Sequence, residues 1–421
     1  MLSLKYIRDN LDLVEKSIKS KNINFDLEKL LNDDRTRRDI IQKVESLKSE
    51  RNIINKKIAS SEDKEKNINL MREISKDIKK LDSDLNILLS KINNDLLYIP
   101  NTIHESVPIG KDEKDNKVIR EWGNKPDFDF EIKGHLELCE MHKLIDFKSA
   151  SKISGAAFPL YTQIGAKYER SLINFMLETH INDHEYNEVL TPFIVSSIAP
   201  QTTGNLPKFK DDMYYIETDD MYCIPTAEVP VTNIHLNSIL DEKELPKKYV
   251  AYSPCFRREA GSYGKDTKGL LRVHQFNKVE LVQFVNPETS YDTLENLVIN
   301  AESILQKLNL HYRVVSLASG DLSFSAAKCY DIEVWSPFEE KYLEVSSCSN
   351  FECFQSRRGS IRYRSSDTGK MVFPHTLNGS GLATPRLMVA LMESCQQKDG
   401  SIKLPEPLHK YFDKGFIALD D

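Results

Sequence analysis

Two heptad repeats in the first hundred residues constrain the fold of this chain more than any other feature. Apolar residues recur at alternating spacings of four and three over residues 40–58, where Arg51 occupies one position of the register. The same spacing continues over residues 71–92, after a short polar segment. This pattern predicts an antiparallel helical hairpin with a narrow apolar seam and a tip near residues 59–68.

A two-helix hairpin of this length has no core beyond its seam, so we expect it to be an arm that contacts another molecule. About thirty residues per helix, each rising about 1.5 Å, would extend about 45–50 Å. The alternative is a coiled coil that joins two copies of the chain. The seam residues alone leave both interpretations open.

Composition limits the class of protein further. A chain of 421 residues is expected to form two or three domains. No apolar run approaches a membrane span, and the first residues resemble neither a signal peptide nor a transit peptide, so a cytoplasmic location is expected. The seven cysteines include no C-x-x-C pair, which favours reduced thiols.

Charge is distributed unevenly along the chain. The first hundred residues hold 21 Lys and Arg against 18 Asp and Glu, whereas the whole chain has a net charge of −7. The body is therefore not expected to bind nucleic acid generally, but the N-terminal part could contact phosphate.

Beyond the helical hairpin the chain changes character. Residues 100–130 place prolines and glycines among charges, which is typical of a linker. The segments that follow mix helical and strand periodicities. We predict helices at 166–182 and 293–309, and strands at 188–195, 331–335 and 342–346.

A candidate site lies in the stretch from Pro254 to Glu280, predicted as a strand, a long exposed loop and a second strand. If the second segment is an unbroken strand from residue 272, alternate side chains share a face. One face would carry Arg272, His274, Phe276, Lys278 and Glu280, and the other Val273, Val279 and Leu281. Arg257 and Glu259 would likewise share a face. These groups suit a nucleotide and an amine-bearing substrate, although a solvated sheet face with ordinary ion pairs would have the same pattern.

Two further clusters carry hydroxyl and carboxylate groups. Thr226-Ala227-Glu228 could hold a protonated amine. Glu344-Val345-Ser346-Ser347 offers hard oxygen ligands of the kind that magnesium prefers. Strand alternation pairs Glu344 with Ser346, so a site shared with Ser347 requires a bulge or a strand end there. The alternative is a strand end with ordinary hydroxyls.

A glycine-rich segment, Asn378-Gly379-Ser380-Gly381, precedes a predicted helix. Glycines permit close backbone approach to a ligand, and Pro385 fits the first helical turn. Arg386 beside a helix start is a candidate anion site. Neither a P-loop nor a G-x-G-x-x-G motif occurs in the sequence, so ATP would have to bind on an antiparallel sheet through arginines, an aromatic ring and a metal.

These segments, in this order and behind a coiled-coil arm, resemble the bacterial-type seryl-tRNA synthetases, a family of class II aminoacyl-tRNA synthetases. Residues 188–195 resemble class II motif 1, residues 256–280 motif 2, and residues 379–386 motif 3. The serine branch is marked by Thr203-Gly204-Asn205-Leu206-Pro207-Lys208-Phe209, Pro225-Thr226-Ala227-Glu228, Glu344-Val345-Ser346-Ser347-Cys348-Ser349-Asn350 and Thr376-Leu377-Asn378-Gly379-Ser380-Gly381.

The resemblance implies a role for each matching position. Arg257 and Arg386 would be the catalytic residues, at the α-phosphate and the γ-phosphate of ATP. Glu259 would contact the adenine and Phe276 would stack on it. The other implied ATP-binding residues are Arg258, Arg272, Glu344, Val345, Ser346 and Ser347. Thr226, Ala227, Glu228, Glu280 and Ser380 would bind serine, and Glu344 and Ser347 would ligate Mg²⁺.

The resemblance also implies the architecture: an α+β fold in which helices flank a class II antiparallel sheet, with a long antiparallel coiled-coil arm. The implied domains are an arm at 1–104, a linker at 105–130 and a catalytic domain at 131–421. The implied activity, in protein biosynthesis, is ATP-dependent attachment of L-serine to tRNA(Ser) through a seryl-adenylate. Whether tRNA(Sec) is also a substrate stays open.

The implied assembly is a homodimer, with motif 1 at its interface. The arm and the motif 2 loop at 261–269 would contact tRNA. The alternative function is that of a non-charging paralogue, which binds RNA or loads a carrier protein. Two departures bear on the ATP contacts: Pro385 stands where the family pattern has glycine, and Arg258 stands where a small polar residue is common.

Overall fold

The computed structural model describes residues 1–58, 64–260 and 269–419. The chain divides into two compact units, Met1–Pro100 and Asn101–Asp421. The residues predicted as a linker belong to the second unit, where one of their segments forms a strand of the main sheet. Within the described residues, none of the helices combines the length and the apolar character needed to cross a bilayer.

The first unit is helical, and its two long helices form the predicted hairpin. Its helices are α1 (Leu4–Asp9), α2 (Leu11–Ser20), α3 (Leu27–Ile58) and α4 (Lys64–Leu96). Ion pairs join Lys91 to Asp33 at 2.6 Å and Lys48 to Asp82 at 3.9 Å. Because residues early in α3 meet residues late in α4, the two helices run antiparallel.

The apolar seam predicted from the heptads is present. Val44, Ile54, Ile74 and Ile78 are buried together along the two helices. The tip prediction was too long, because α4 already begins at Lys64, and the rest of the predicted tip lies outside the described residues. A second buried cluster, which includes Ile7, Leu30, Ile92 and Ile99, packs α1 and α2 against the other end of the hairpin.

The second unit is built on an eight-stranded sheet with helices packed against it. Its helices are α5 (His135–Met141), α6 (Phe147–Ser154), α7 (Gln163–Asn182), α8 (Ile198–Thr203), α9 (Glu228–Asn233), α10 (Ser290–Lys307), α11 (Phe354–Arg358) and α12 (Thr384–Cys395). Its strands are β1 (Lys117–Trp122), β2 (Asn187–Glu188), β3 (Ile194–Ser196), β4 (Tyr215–Ile216), β5 (Met221–Cys223), β6 (Ile239–Leu240), β7 (Lys247–Phe256), β8 (Gln275–Val285), β9 (Tyr312–Ser316), β10 (Lys328–Ser336), β11 (Lys341–Asn350), β12 (Arg362–Arg364), β13 (Met371–Val372), β14 (His375–Ala383), β15 (Ile402–Lys403) and β16 (Phe416–Ile417).

The main sheet has the strand order β1-β9-β10-β11-β14-β8-β7-β2. Every pair is antiparallel except that of β7 with the edge strand β2. Helices α7, α10 and α12 contribute buried apolar side chains to one core with these strands, and Leu172, Leu297 and Leu391 are examples. The fold is therefore the predicted α+β architecture. The predicted helices at 166–182 and 293–309 correspond to α7 and α10.

The strand predicted at 188–195 was wrong in its middle. Only its two ends form β-strands, β2 and β3, and these belong to different sheets. Pro192 lies in the interruption, and proline has no N–H to donate to a ladder.

The second strand of the central hairpin was also predicted too long, because β8 begins at Gln275 and not at residue 272. The ladder with β7 pairs Phe256 with Gln275 and is followed by one more bond, from Arg257 N to His274 O. His274 N instead donates to Ala157 O, at 2.8 Å, so the chain leaves the sheet there. The single face predicted from residue 272 therefore holds only from Phe276 onward.

Candidate active site

A cavity of about 620 Å³ opens over the middle of the main sheet. Strands β8, β10, β11 and β14, the chain after β7 and the start of α12 supply its walls. Most of the predicted site residues line it. These are Thr226, Glu228, Arg257, Glu259, Arg272, Phe276, Glu344, Val345, Ser347, Ser380 and Arg386. The order of the strands in the sheet thus brings together motif residues that lie up to 160 positions apart in the sequence.

Four predicted site residues do not line the cavity. Ser346 is buried and donates its hydroxyl to Ser380 O at 2.6 Å. Ala227 is fully buried, and Arg258 places its guanidinium beside the Tyr214 ring. Glu280 is fully buried beneath the cavity, where it holds residues that do line it.

Three side chains converge on the buried carboxylate of Glu280. Thr226 donates its hydroxyl to Oε2 at 3.1 Å, and Asn378 donates Nδ2 to Oε1 at 2.9 Å. Lys278 forms an ion pair with Glu280, and its Nζ also donates to Thr226 Oγ1 at 2.9 Å. Ser380 lies directly opposite Glu280 in the β14–β8 ladder. The cluster gives this end of the cavity a fixed set of donors and acceptors.

Glu228, at the start of α9, is the second carboxylate at this end of the cavity. Burial, and next the charge of Glu280, raise the pKa of Glu228 to about 7. Gln355, Lys278 and Arg257 act in the opposite direction. The carboxylate thus titrates near neutral pH, unlike an exposed glutamate.

The part of the cavity next to this cluster combines cationic and aromatic groups. The Arg257 guanidinium lies 5.1 Å from the centre of the Phe276 ring, and its Nε donates to Pro225 O at 3.3 Å. Arg272 forms an ion pair with Glu259 across the cavity wall. A flat ring with a guanidinium group beside it can accommodate a purine and its phosphates.

Arg386 is held in the first turn of α12 by two backbone carbonyls. Its Nε donates to Leu271 O at 3.1 Å, and its Nη1 donates to Glu344 O at 2.9 Å. Pro385 occupies the first turn without removing Arg386 from the cavity. The nearby Gly379 and Gly381 serve packing, because a Cβ there would lie 2.8 Å from Cys348 Sγ and 2.6 Å from His180 Nε2. Packing alone therefore accounts for both glycines, and the close approach of a ligand to them stays a prediction.

Glu344 and Ser347 both line the cavity because β11 contains a bulge. Ser346 pairs with Ile332 and Glu344 pairs with Glu333, which leaves Val345 without a partner on β10. The extra residue turns both candidate metal ligands to the same side. The sequence analysis required such a bulge, or a strand end, for Glu344 and Ser347 to share a metal site.

Sequence reasoning missed a third candidate ligand beside Glu344 and Ser347, the carboxyl group of Asp331. Asp331 faces Ser347 across the β10–β11 ladder. Burial, and next the charge of Glu344, raise the pKa of Asp331 well above its ordinary value, although a hydrogen bond from Ser347 acts against the shift. A bound cation would relieve this repulsion, so Glu344, Ser347 and Asp331 together fit a divalent metal. Only the pairing register identifies Asp331, since it lies 13 residues before Glu344.

An eight-stranded sheet with this order, carrying a nucleotide-type cavity that has no P-loop, defines a class II aminoacyl-tRNA synthetase. The model of the "tRNA synthetase class II core domain (G, H, P, S and T)" matches residues 209–395. The model of the "Seryl-tRNA synthetase N-terminal domain" matches residues 1–103. The chain belongs to the seryl-tRNA synthetase family, as its similarity to curated members over nearly its full length shows.

Similar proteins and structures support this placement. The serine–tRNA ligase of Syntrophobacter fumaroxidans is 52% identical over 98% of this chain and 98% of its own length. The chain of Pyrococcus horikoshii seryl-tRNA synthetase complexed with ATP superposes with a TM-score of 0.94 at 37% identity, and 99% of each chain is covered. The cytoplasmic serine–tRNA ligase of Naegleria fowleri in complex with AMP gives 0.88 at 29% identity, over 98% of this chain and 96% of that one.

Proposed function

We propose that this chain is a serine–tRNA ligase, which attaches L-serine to tRNA(Ser) at the expense of ATP through a seryl-adenylate. One arrangement carries the proposal: a single cavity holds an arginine-flanked aromatic ring beside a carboxylate–hydroxyl cluster. A nucleotide and a small amino acid could therefore lie side by side, with their reacting atoms in the middle.

The chemistry requires positioning and charge neutralisation more than bond-making by the protein. A carboxylate oxygen of serine attacks the α-phosphorus of ATP, and pyrophosphate leaves. Arg257 would hold the α-phosphate and Arg386 the γ-phosphate end, while Phe276 stacks on the adenine and Glu259 contacts it. In the second step a terminal ribose hydroxyl of the tRNA takes the seryl group and AMP leaves. Fixed cations near the phosphates favour the first step because negative charge builds there.

Mg²⁺ is the proposed metal, held by Glu344 and Ser347 with Asp331 beside them. When bound, it would supply positive charge to the phosphates of ATP. The hard oxygen donors and the repulsion between two neighbouring carboxyl groups support this assignment.

The serine pocket is proposed to comprise Thr226, Glu228, Glu280 and Ser380. Its buried groups are polar, so alanine would leave donors or acceptors unpaired and should be rejected. Threonine would be rejected by its extra methyl group.

The arm and the loop at 261–269 are proposed to contact tRNA. Residues 261–268 of this loop lie outside the described residues, so the proposal for them rests on their place in motif 2. The chain is further proposed to form a homodimer. The segment from β2 to α8 exposes apolar side chains, with Leu190 at 76%, Ile194 at 44% and Ile198 at 41%.

Serine-dependent exchange of pyrophosphate into ATP tests the main proposal directly. Serine should support exchange, whereas alanine, glycine and threonine should not. A folded preparation without serine-dependent exchange would overturn it and favour the alternative, a non-charging paralogue that binds RNA or loads a carrier protein. The presence of Arg257, Phe276, Glu344 and Arg386 in one cavity argues against that alternative.

A further inference from the structure

Gln355, on the short helix α11, is a buried side chain that joins three segments of the second unit. Its side chain is 1% exposed. Nε2 donates to Glu228 Oε1 at 2.6 Å and to Thr203 O at 3.2 Å, and Oε1 accepts the Thr376 hydroxyl at 2.8 Å. Both polar atoms of the amide are therefore in use.

These bonds fix which way the amide points. If the amide were flipped, its oxygen would face the carbonyl oxygen of Thr203, which can only accept, and two acceptors would meet without a proton between them. The Thr376 hydroxyl, by donating to Oε1, further favours the observed orientation. The three hydrogen bonds therefore orient the Gln355 amide so that its NH2 group faces Glu228.

The carboxylate that Gln355 holds remains open to a ligand. Among the described residues, Gln355 is the only side chain with a hydrogen bond to the Glu228 carboxylate, and this bond uses Oε1. Glu228 is 8% exposed and lines the cavity. Its second oxygen is therefore available for a donor group of a substrate.

We propose that Gln355 is a positioning residue for the amino-acid pocket: it holds the Glu228 carboxylate as a charged acceptor and ties it to the Thr203 backbone. This inference rests on the proposed function, since it assumes that serine is the ligand at Glu228. Gln355 does not line the cavity, so it acts through Glu228 and not on serine itself. Thr203 and the following Gly204 and Asn205 line the same cavity, so one amide fixes two of its walls.

The charges around Glu228 explain why a neutral donor matters there. Burial and Glu280 favour the protonated acid, while Lys278, Arg257 and the Gln355 amide favour the carboxylate. These opposing influences leave its pKa at about 7. Removing the amide would raise that pKa, so more of the enzyme would carry a neutral acid at neutral pH and would bind the ammonium group of serine less well.

Gln355→Met tests the proposal, because methionine has a similar length but cannot donate. In serine-dependent pyrophosphate exchange, the KM for serine should rise about tenfold or more, as expected for a lost hydrogen bond to a charged group. The KM for ATP should change less than about twofold. The acid limb of kcat/KM for serine should move to higher pH.

Thr376 supplies a second pair of variants, which also serves if Gln355→Met does not fold. Thr376→Val removes the donor that orients the amide and should raise the serine KM in the same way, while Thr376→Ser should recover most of the loss. Ser356→Ala is the matched control, since Ser356 is a buried neighbour on α11 that bonds to Pro374 O at 2.7 Å, away from the cavity.

Equal changes in the KM values of serine and ATP, an unmoved acid limb, or the same effect in Ser356→Ala would overturn the role of Gln355. The wild-type enzyme is measured first. If it shows no exchange with serine, the proposed function fails and not the inference about Gln355 alone.

Discussion

Glu344 and Ser347 point into the same cavity although they lie three residues apart on one strand. The bulge at Val345 reverses the alternation between them, and Ser346 is left facing the core, bonded to Ser380 O. A regular strand would have put Glu344 and Ser346 on the cavity side. The bulge therefore determines which hydroxyl can bind the same metal ion as the Glu344 carboxylate.

Glu344→Gln should weaken the use of Mg²⁺. The substitution keeps the size of the side chain but removes the charge proposed to bind the ion. The Mg²⁺ concentration that gives half-maximal serine-dependent exchange should rise about tenfold or more, since magnesium is held by few protein ligands. Titrating Mg²⁺ at fixed ATP and serine measures this. Glu340→Gln, at an exposed turn position between the same two strands, should have no effect, and an equal response of both variants would contradict the assignment.

The sequence predicted the elements with strong local periodicity and missed the contacts made between distant segments. The helical hairpin, the helices α7 and α10, and the strands β10 and β11 were predicted from spacing alone. The prediction of one strand at 188–195 was wrong because Pro192 cannot donate a backbone hydrogen bond, although the apolar pattern of the segment favours a strand. The face counted from Arg272 failed because His274 pairs with Ala157, about 120 residues earlier in the chain.

The site shows the same division. Residues of the motifs could be named because each motif is a short run of characteristic residues. Asp331, Gln355 and Asn378 received no role, although each holds or repels a predicted site residue. Buried partners of this kind carry no local pattern, since their roles come from contacts between segments that lie far apart in the sequence.

Phe276→Leu should weaken ATP binding selectively. Leucine keeps an apolar side chain but removes the flat ring next to Arg257. Stacking of a base on an aromatic ring contributes about 1–3 kcal/mol, so the KM for ATP should rise about tenfold. The serine KM should change little, and exchange kinetics with each substrate varied in turn will separate the two. Phe416→Leu, at a ring that is 45% exposed, is the control, and a matching loss there would argue against a stacking role.

Glu169→Gln should change how stability depends on pH. Burial raises the pKa of Glu169 to about 7, although hydrogen bonds from Thr384 and Asn277 oppose the shift. The folded protein binds this proton more tightly than the unfolded chain does. The stabilisation is therefore fully present below the ordinary glutamate pKa, near 4.5, and is lost as the pH rises through about 7.

Between pH 5 and pH 8 this group should cost the wild-type protein about 2 kcal/mol of unfolding free energy, and Glu169→Gln should lose that part of the decline. Urea unfolding of the second unit at several pH values measures it. Glu178→Gln, on the same helix, is the control, because its ion pair with Lys410 lowers the pKa of that carboxyl. An unchanged pH slope in Glu169→Gln would show that Glu169 does not titrate in this range.

Leu190→Asp should convert the proposed dimer to a monomer. A charge placed in an apolar interface is left without its water shell, which costs several kcal/mol. Sedimentation velocity over a range of concentrations will show the change. Ile299→Asp, at a residue 55% exposed on α10, should leave the dimer intact. Dimers that persist in Leu190→Asp would place the interface elsewhere.

Shortening the arm should separate the two steps of the proposed reaction. The ion pair between Asp33 and Lys91 and the buried Ile92 belong to the base of the hairpin, so a cut must leave them in place. Removing residues 41–85 and joining the helices with a short Gly–Ser turn keeps both. Serine-dependent exchange should stay within about twofold of wild type, because the cavity is built entirely from the second unit.

Aminoacylation of tRNA(Ser) by the same variant should fall by about a hundredfold or more, mainly through a higher KM for tRNA, because phosphate and base contacts along the arm would be lost. A steeper loss at higher salt would point to phosphate contacts. The competing view, a coiled coil that only joins two copies, makes a different forecast. It predicts a change of oligomeric state with parallel losses in exchange and aminoacylation, so measuring all three on one preparation decides between a tRNA-binding arm and a dimerisation element.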